Sequence, residues 1–136
     1  MKTIELMLTV VLVFFFTAGT AQEKKENKPN ADGVYYEVEV MPEFPGGYSA
    51  LVDYLVKNIQ YPEQAKKDSI TGKVFVQFIV NETGKVTNPK VLKSVHPLLD
   101  AEAIRVVGAM QDWTPGKNKG ETVKVAFTIP IMFALK

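Results

Sequence analysis

Prolines in two of three alternating segments limit how this chain can build a sheet. KVFVQFIV, residues 73–80, sets Val74, Val76, Phe78 and Val80 on one side and Lys73, Phe75, Gln77 and Ile79 on the other. KVTNPKVLKS, residues 85–94, alternates more weakly and is interrupted by Pro89. TVKVAFTIPIMF, residues 122–133, carries an unbroken apolar face of Val123, Val125, Phe127, Ile129, Ile131 and Phe133, with Pro130 on the opposite side. Side chains of a strand alternate between faces, so all three segments read as strands. Proline cannot donate to a ladder and belongs at sheet edges or bulges. Only the first segment lacks proline, so it is expected in the centre, in spatial order two, one, three. NETG, residues 81–84, reads as a hairpin connection that makes the second strand antiparallel to the first.

The remaining periodicity is helical. HPLLDAEAIRVVGAM, residues 96–110, offers Pro97 as a first helical residue and Leu99, Ala103, Ile104, Val107 and Met110 as a buried stripe. An earlier helix is expected from about Tyr48 or Ser49 to Asn58, with Leu51, Val52, Leu55, Val56 and Ile59 as its apolar stripe. MPEFPGG, residues 41–47, allows no regular element to continue into that helix. Tyr61 precedes Pro62 and is pushed to extended geometry. Pro62 suits the first position of a second, short helix with Glu63 in its first turn and Lys66 and Lys67 in its last. The helix before the third strand returns the chain so that this strand, too, runs antiparallel to the first. The expected fold is α+β: a three-stranded antiparallel sheet in order 2-1-3 with two main helices on one face. The third strand is then an apolar edge, either protected by Pro130 and Lys124 or used to dock an extended peptide.

The ends of the chain divide differently. After Met1 and Lys2, residues 6–16 form an apolar run, and TAGTAQ follows. This pattern reads as a secretory signal peptide, residues 1–21, cut between Ala21 and Gln22. The alternative is a membrane anchor, although a spanning helix needs about 20 apolar residues. Residues 22–40 read as a polar linker and an extended arm, VYYEVEV forming a short exposed strand or none. Residues 41–136 are the domain.

Little chemistry is available to such a chain. It has no cysteine, one histidine and a net charge of +1. These exclude disulfides, thiolate chemistry, a multi-histidine metal site and a broad basic field for nucleic acid. No phosphate-binding or nucleophile-elbow motif occurs. His96 before Pro97 serves the helix start. Gly46 and Gly47 serve a bend, Glu37 and Glu39 a solvated face, and Trp113 caps the core between helix and last strand. No catalytic residue, metal or cofactor is expected, and the chain is not read as an enzyme.

The ordered set MPEFPGG, NIQYPEQAKKDSITGKVFVQFIVNETGKV, SVHPLLDAEAIRVV, WTPGK and VKVAFTIPIMF resembles the TonB C-terminal domain, in the form common in Bacteroidetes-type bacteria. The resemblance covers residues 41–136. It implies a periplasmic domain that captures the TonB box of an outer-membrane TonB-dependent transporter by β-addition, supporting nutrient or siderophore uptake. Its partners would be that transporter and, if the chain is anchored in the inner membrane facing the periplasm, the ExbB–ExbD motor. The capturing strand maps to Val123, Lys124, Val125, Ala126, Phe127, Thr128 and Ile129, with Gln60, Tyr61 and Pro62 close to the captured segment. The alternative is an adaptor or structural protein that uses the same edge for a homodimer or an envelope partner without energy transduction. Tyr61 is either a core ring beside a binding Gln60 or a binding residue itself. Residues 22–33 reach at most about 40 Å when extended, at about 3.3–3.6 Å per residue, too short for a Pro-rich periplasmic spacer. N-terminal sequencing of the protein from cell fractions is expected to read from Gln22 in the soluble periplasm; an intact Met1 in the inner-membrane fraction would refute the cleavage.

Overall fold

Strand β2 (Gly72–Val80) forms the spine of the sheet, because both of its neighbours pair with it antiparallel. The computed structural model describes residues 27–135. The expected signal peptide and its junction at Ala21 and Gln22 lie outside the described residues. In chain order the elements are β1 (Val34–Tyr35), α1 (Gly47–Asn58), α2 (Glu63–Lys67), β2, β3 (Val86–Lys93), α3 (Pro97–Gly108), β4 (Gly116–Asn118) and β5 (Glu121–Phe133). The strands lie in the order β1-β5-β2-β3, and β4 pairs with β5 off this path.

The expected three-stranded sheet is therefore too small. The three long strands do lie β5-β2-β3, but the sheet has five strands. Two short segments join it because their backbone groups find partners on β5. Lys119 (φ 53) and Gly120 (φ 80) both adopt left-handed geometry, which a two-residue hairpin with the right twist requires. They fold Gly116–Asn118 back onto the start of β5, with Asn118 opposite Glu121. The arm adds Val34 opposite Lys124 and Tyr35 opposite Val125 in parallel.

The prolines act locally as their chemistry demands. In β3, Gln77 pairs with Lys90 and Ile79 with Thr87, so Asn88 and Pro89 together face Phe78. This is a bulge, with Asn88 in left-handed geometry (φ 51), on a strand that forms the outer edge of the sheet. Pro62 sits one residue earlier than expected: it caps α2 with extended backbone (ψ 132), and the helix begins at Glu63. Pro97 is at the start of α3, where the His96 Nδ1 accepts the Leu98 N–H at 3.1 Å.

The helices cover one face of the sheet. Val74, Val76, Phe78 and Val80 from β2 and Val125, Ile129, Ile131 and Phe133 from β5 are buried there. Leu99, Ala103, Val106 and Val107 of α3 pack onto them. The expected α3 stripe omits Val106 and Glu102, which are also buried. Trp113 closes one end, with ring centroids 5.3 Å from both Phe78 and Phe127 and 5.7 Å from Phe44. Its backbone N–H donates to the Gly84 carbonyl at 2.7 Å. Gly84 has φ 90, and a Cβ there would lie 1.9 Å from the Trp113 carbonyl oxygen. Gly84→Ala therefore combines left-handed strain with a backbone clash. It is expected to cost more than about 3 kcal/mol in urea unfolding; a loss below about 1 kcal/mol would contradict this account of the turn.

Candidate functional site

The outer edge of β5, on the side away from β2, is paired with β1 at Lys124 and Val125. Upstream, Glu121, Thr122 and Val123 pair with β4. From residue 126 to residue 133, β5 is paired with β2 only, among the described residues. That stretch is about 26 Å long at about 3.3 Å per residue. Backbone N–H and C=O groups on the side away from β2 have no strand partner there, apart from the N–H that Pro130 lacks.

Helix α1 stands beside this open edge. A groove of about 350 Å³ runs between them, walled by Tyr48, Val52, Val56 and Ile59 on one side and Ile129 and Met132 on the other. The expected α1 stripe is only half covered. Leu51 is buried, Leu55 and Ile59 are half-buried, and Val56 is 74% exposed. Tyr48 (76%) and Met132 (56%) extend the apolar surface. The cause is that the sheet ends at residues 126–133 one strand short of covering α1. An apolar patch of this kind beside unpaired strand groups marks a place where a further segment can be seated.

The joint that follows α1 is fixed by ionic and polar contacts. Glu102 of α3 is nearly buried and accepts the Gln60 backbone N–H at 2.6 Å. The same carboxylate accepts from Arg105 Nε and Nη2, each at 2.7 Å, and Arg105 donates onward to the Asn58 carbonyl at 2.9 Å. Arg105 thereby satisfies a carbonyl at the end of α1. The Tyr54 hydroxyl donates to the Val106 carbonyl at 2.9 Å, a second tie between α1 and α3. Burial raises the Glu102 pKa, but the Arg105 hydrogen bonds, the Gln60 N–H and the Arg105 charge outweigh it, so the carboxyl titrates below the ordinary range. Burial also pushes the Tyr54 hydroxyl up, partly offset by the Arg105 charge.

The expected site residues fall into two groups. Ala126, Phe127, Thr128 and Ile129 lie on the open part of the β5 edge, whereas Val123, Lys124 and Val125 face strands of the same chain. Tyr61 belongs to the packing: its ring meets Phe133 edge-on at 5.6 Å, and its hydroxyl donates to the Ile70 carbonyl. Gln60 is exposed, and Pro62 caps α2. The Tyr61–Phe133 contact places residues 60–62 at the far end of β5, about 26 Å of strand away from Val125. Sequence reasoning misses Tyr48 and Met132 as surface groups, and it puts Val52 and Val56 in the apolar stripe of α1 without showing that they stay exposed. It also misses Glu102 and Arg105, whose only signal is their spacing of three on one helix. Among the described residues no group of His, Asp or Glu is placed to hold a metal ion, and no helix is long and apolar enough to cross a membrane.

Fold and site together define a small α+β domain with an apolar helix face beside an open stretch of sheet edge. The family model for the Gram-negative bacterial TonB protein C-terminal matches residues 57–135, more than half of the chain, and the chain belongs to this family. Two solution structures of the TonB C-terminal domain from Helicobacter pylori are similar to it. One, spanning residues 179–285 of that protein, has 28% identity and a TM-score of 0.50, covering 63% of this chain and 78% of the other. The second, spanning residues 194–285, has 27% identity and a TM-score of 0.50, covering 65% and 92%. No curated protein matches the chain. TonB C-terminal domains are periplasmic, serve energy transduction for transport, and form a non-enzymatic family.

The Glu102 contacts have a pH signature. A carboxyl whose folded pKa lies below its unfolded value stabilises the fold above the unfolded pKa and loses that contribution as pH falls through the folded one. Glu102→Gln is expected to cost about 1–3 kcal/mol at neutral pH. The gap to wild type should close as pH drops below about 4, where the unfolded-state carboxyl begins to protonate. Equal losses at neutral pH and in acid, measured by denaturant unfolding, would show that the ionised carboxylate contributes nothing.

Proposed function

We propose that this domain binds the TonB box of an outer-membrane transporter by strand addition, pairing it with the open edge of β5 and seating its side chains over the α1 groove. The observation that carries this reading is the coincidence of two unfilled surfaces. Residues 126–133 lack a strand neighbour on one side, and the apolar face of α1 is left bare along the same line. An added strand would satisfy the backbone groups of the first and cover the second. Each backbone hydrogen bond contributes about 0.5–1.5 kcal/mol net. After the cost of association the affinity is expected to be around micromolar, weak enough for release in each transport cycle. Backbone pairing also tolerates different partner sequences. Gln60 is the member of the Gln60, Tyr61 and Pro62 set assigned to the partner, because Tyr61 and Pro62 are used within the fold.

The exposed cluster of Tyr48, Val56 and Met132 beside an open edge favours one second reading, self-association through the same strand. The two readings separate by titration of isotope-labelled domain with synthetic transporter N-terminal peptides. Strand capture predicts shifts at residues 126–129 and at Val52 and Val56. It also predicts that Val56→Glu weakens binding roughly tenfold without unfolding the domain. Concentration-dependent dimerisation with no peptide-induced shift would replace capture by self-association.

A further inference from the structure

Strand β1 occupies Lys124 and Val125 of the β5 edge, directly continuous with residues 126–133 that the capture reading gives to a partner. Its hold there is short: two register pairs, Val34 with Lys124 and Tyr35 with Val125. A turn upstream aims it. Asn30 N–H donates to the Val34 carbonyl at 2.8 Å, Gly33 N–H donates to the Asn30 carbonyl at 3.0 Å, and the Asn30 side-chain oxygen accepts the Asp32 and Val34 N–H groups. Gly33 provides the left-handed backbone (φ 77) this turn needs. Val34 and, further on, Val38 are buried, Tyr35 is half-buried, and Tyr36 between them is 58% exposed.

Downstream the arm is tied a second time, away from the edge. Val40 and Lys117 exchange backbone hydrogen bonds at 3.0 and 2.8 Å, and Glu43 and Thr114 do so at 3.0 and 2.8 Å. The Glu39 carboxylate accepts the Lys119 N–H at 2.5 Å. Residues 40–43 can therefore stay in place when Val34 and Tyr35 leave β5. Such a tether keeps the departing strand close to the edge it left, at high effective concentration.

We propose that β1 is a built-in competitor strand: it fills the Lys124–Val125 part of the edge in the free protein and is displaced when a partner strand pairs along the full edge. This rests on the strand-capture reading. Two effects follow. Capture is weakened by the fraction of molecules in which the arm is down, and release is helped because the arm returns to the vacated backbone groups. The arm also shields two residues of an apolar edge from chance pairing with other chains.

The chain has no cysteine, so a Val34→Cys, Lys124→Cys double variant places a single disulfide across the β1–β5 pair. The probe is a fluorescent synthetic peptide carrying the TonB box of an outer-membrane transporter, titrated against wild type and against both redox states of the variant. Locking the arm should weaken binding roughly tenfold, and reduction should restore it. Tyr35→Pro, which removes a backbone donor from β1, should tighten binding relative to wild type. Equal affinity of locked and reduced forms, or no gain from Tyr35→Pro, overturns the competitor role while leaving capture intact. Absence of binding by wild type, reduced variant and Tyr35→Pro alike removes the capture reading and this proposal with it.

Discussion

The unbroken antiparallel ladder from Gly72 opposite Phe133 to Val80 opposite Val125 sets the position of everything else. It aligns the buried faces of β2 and β5, and α3 packs across them with Leu99, Ala103, Val106 and Val107. Because β5 continues beyond Val80 of β2, residues 121–123 are left for β4 to pair with, while the arm pairs Lys124 and Val125 on the side away from β2. Because, among the described residues, no strand pairs on the far side of residues 126–133, α1 lies against an unfinished sheet. The open edge and the bare helix face are thus two results of one arrangement.

Helix α1 is held by Leu51 in the core and by its attachment to α3. Glu102 and Arg105 hold the backbone at Gln60 and Asn58, and Tyr54 holds the Val106 carbonyl. These contacts lie behind the groove, so the apolar front of α1 stays unobstructed. A half-exposed arginine adds little through charge alone. Its value here is geometric, since one guanidinium bridges a nearly buried carboxylate and a helix-terminal carbonyl.

Much of the fold is legible in the sequence where the cause is local. Period-two alternation identifies β2, β3 and β5, and the missing N–H of Pro89 marks an edge strand with a bulge. The parts that are not legible depend on partners distant in the chain. Gly116–Asn118 has too few residues to show a period, and Val34–Tyr35 becomes a strand only because Lys124 and Val125 have a free side. Amphipathicity shows that Val52 and Val56 share an apolar face, but whether that face is covered depends on how many strands the sheet has. Glu102 is not marked out in the sequence, because nothing near it announces the Gln60 N–H. Of the candidate site, the strand at residues 126–129 is legible from its alternation and family pattern, while the groove beside it is not.

The central ladder also joins segments far apart in the chain, whereas β2 and β3 are linked by a tight turn. Closing the hairpin costs little chain entropy; bringing β5 to β2 requires ordering everything between them. Until that ordering is complete, β2 has no neighbour on its β5 side. Strand β5 completes the pairing of β2, and the unpaired side is then that of residues 126–133, so the folded domain keeps an apolar edge open where many sheet proteins blunt or cover theirs.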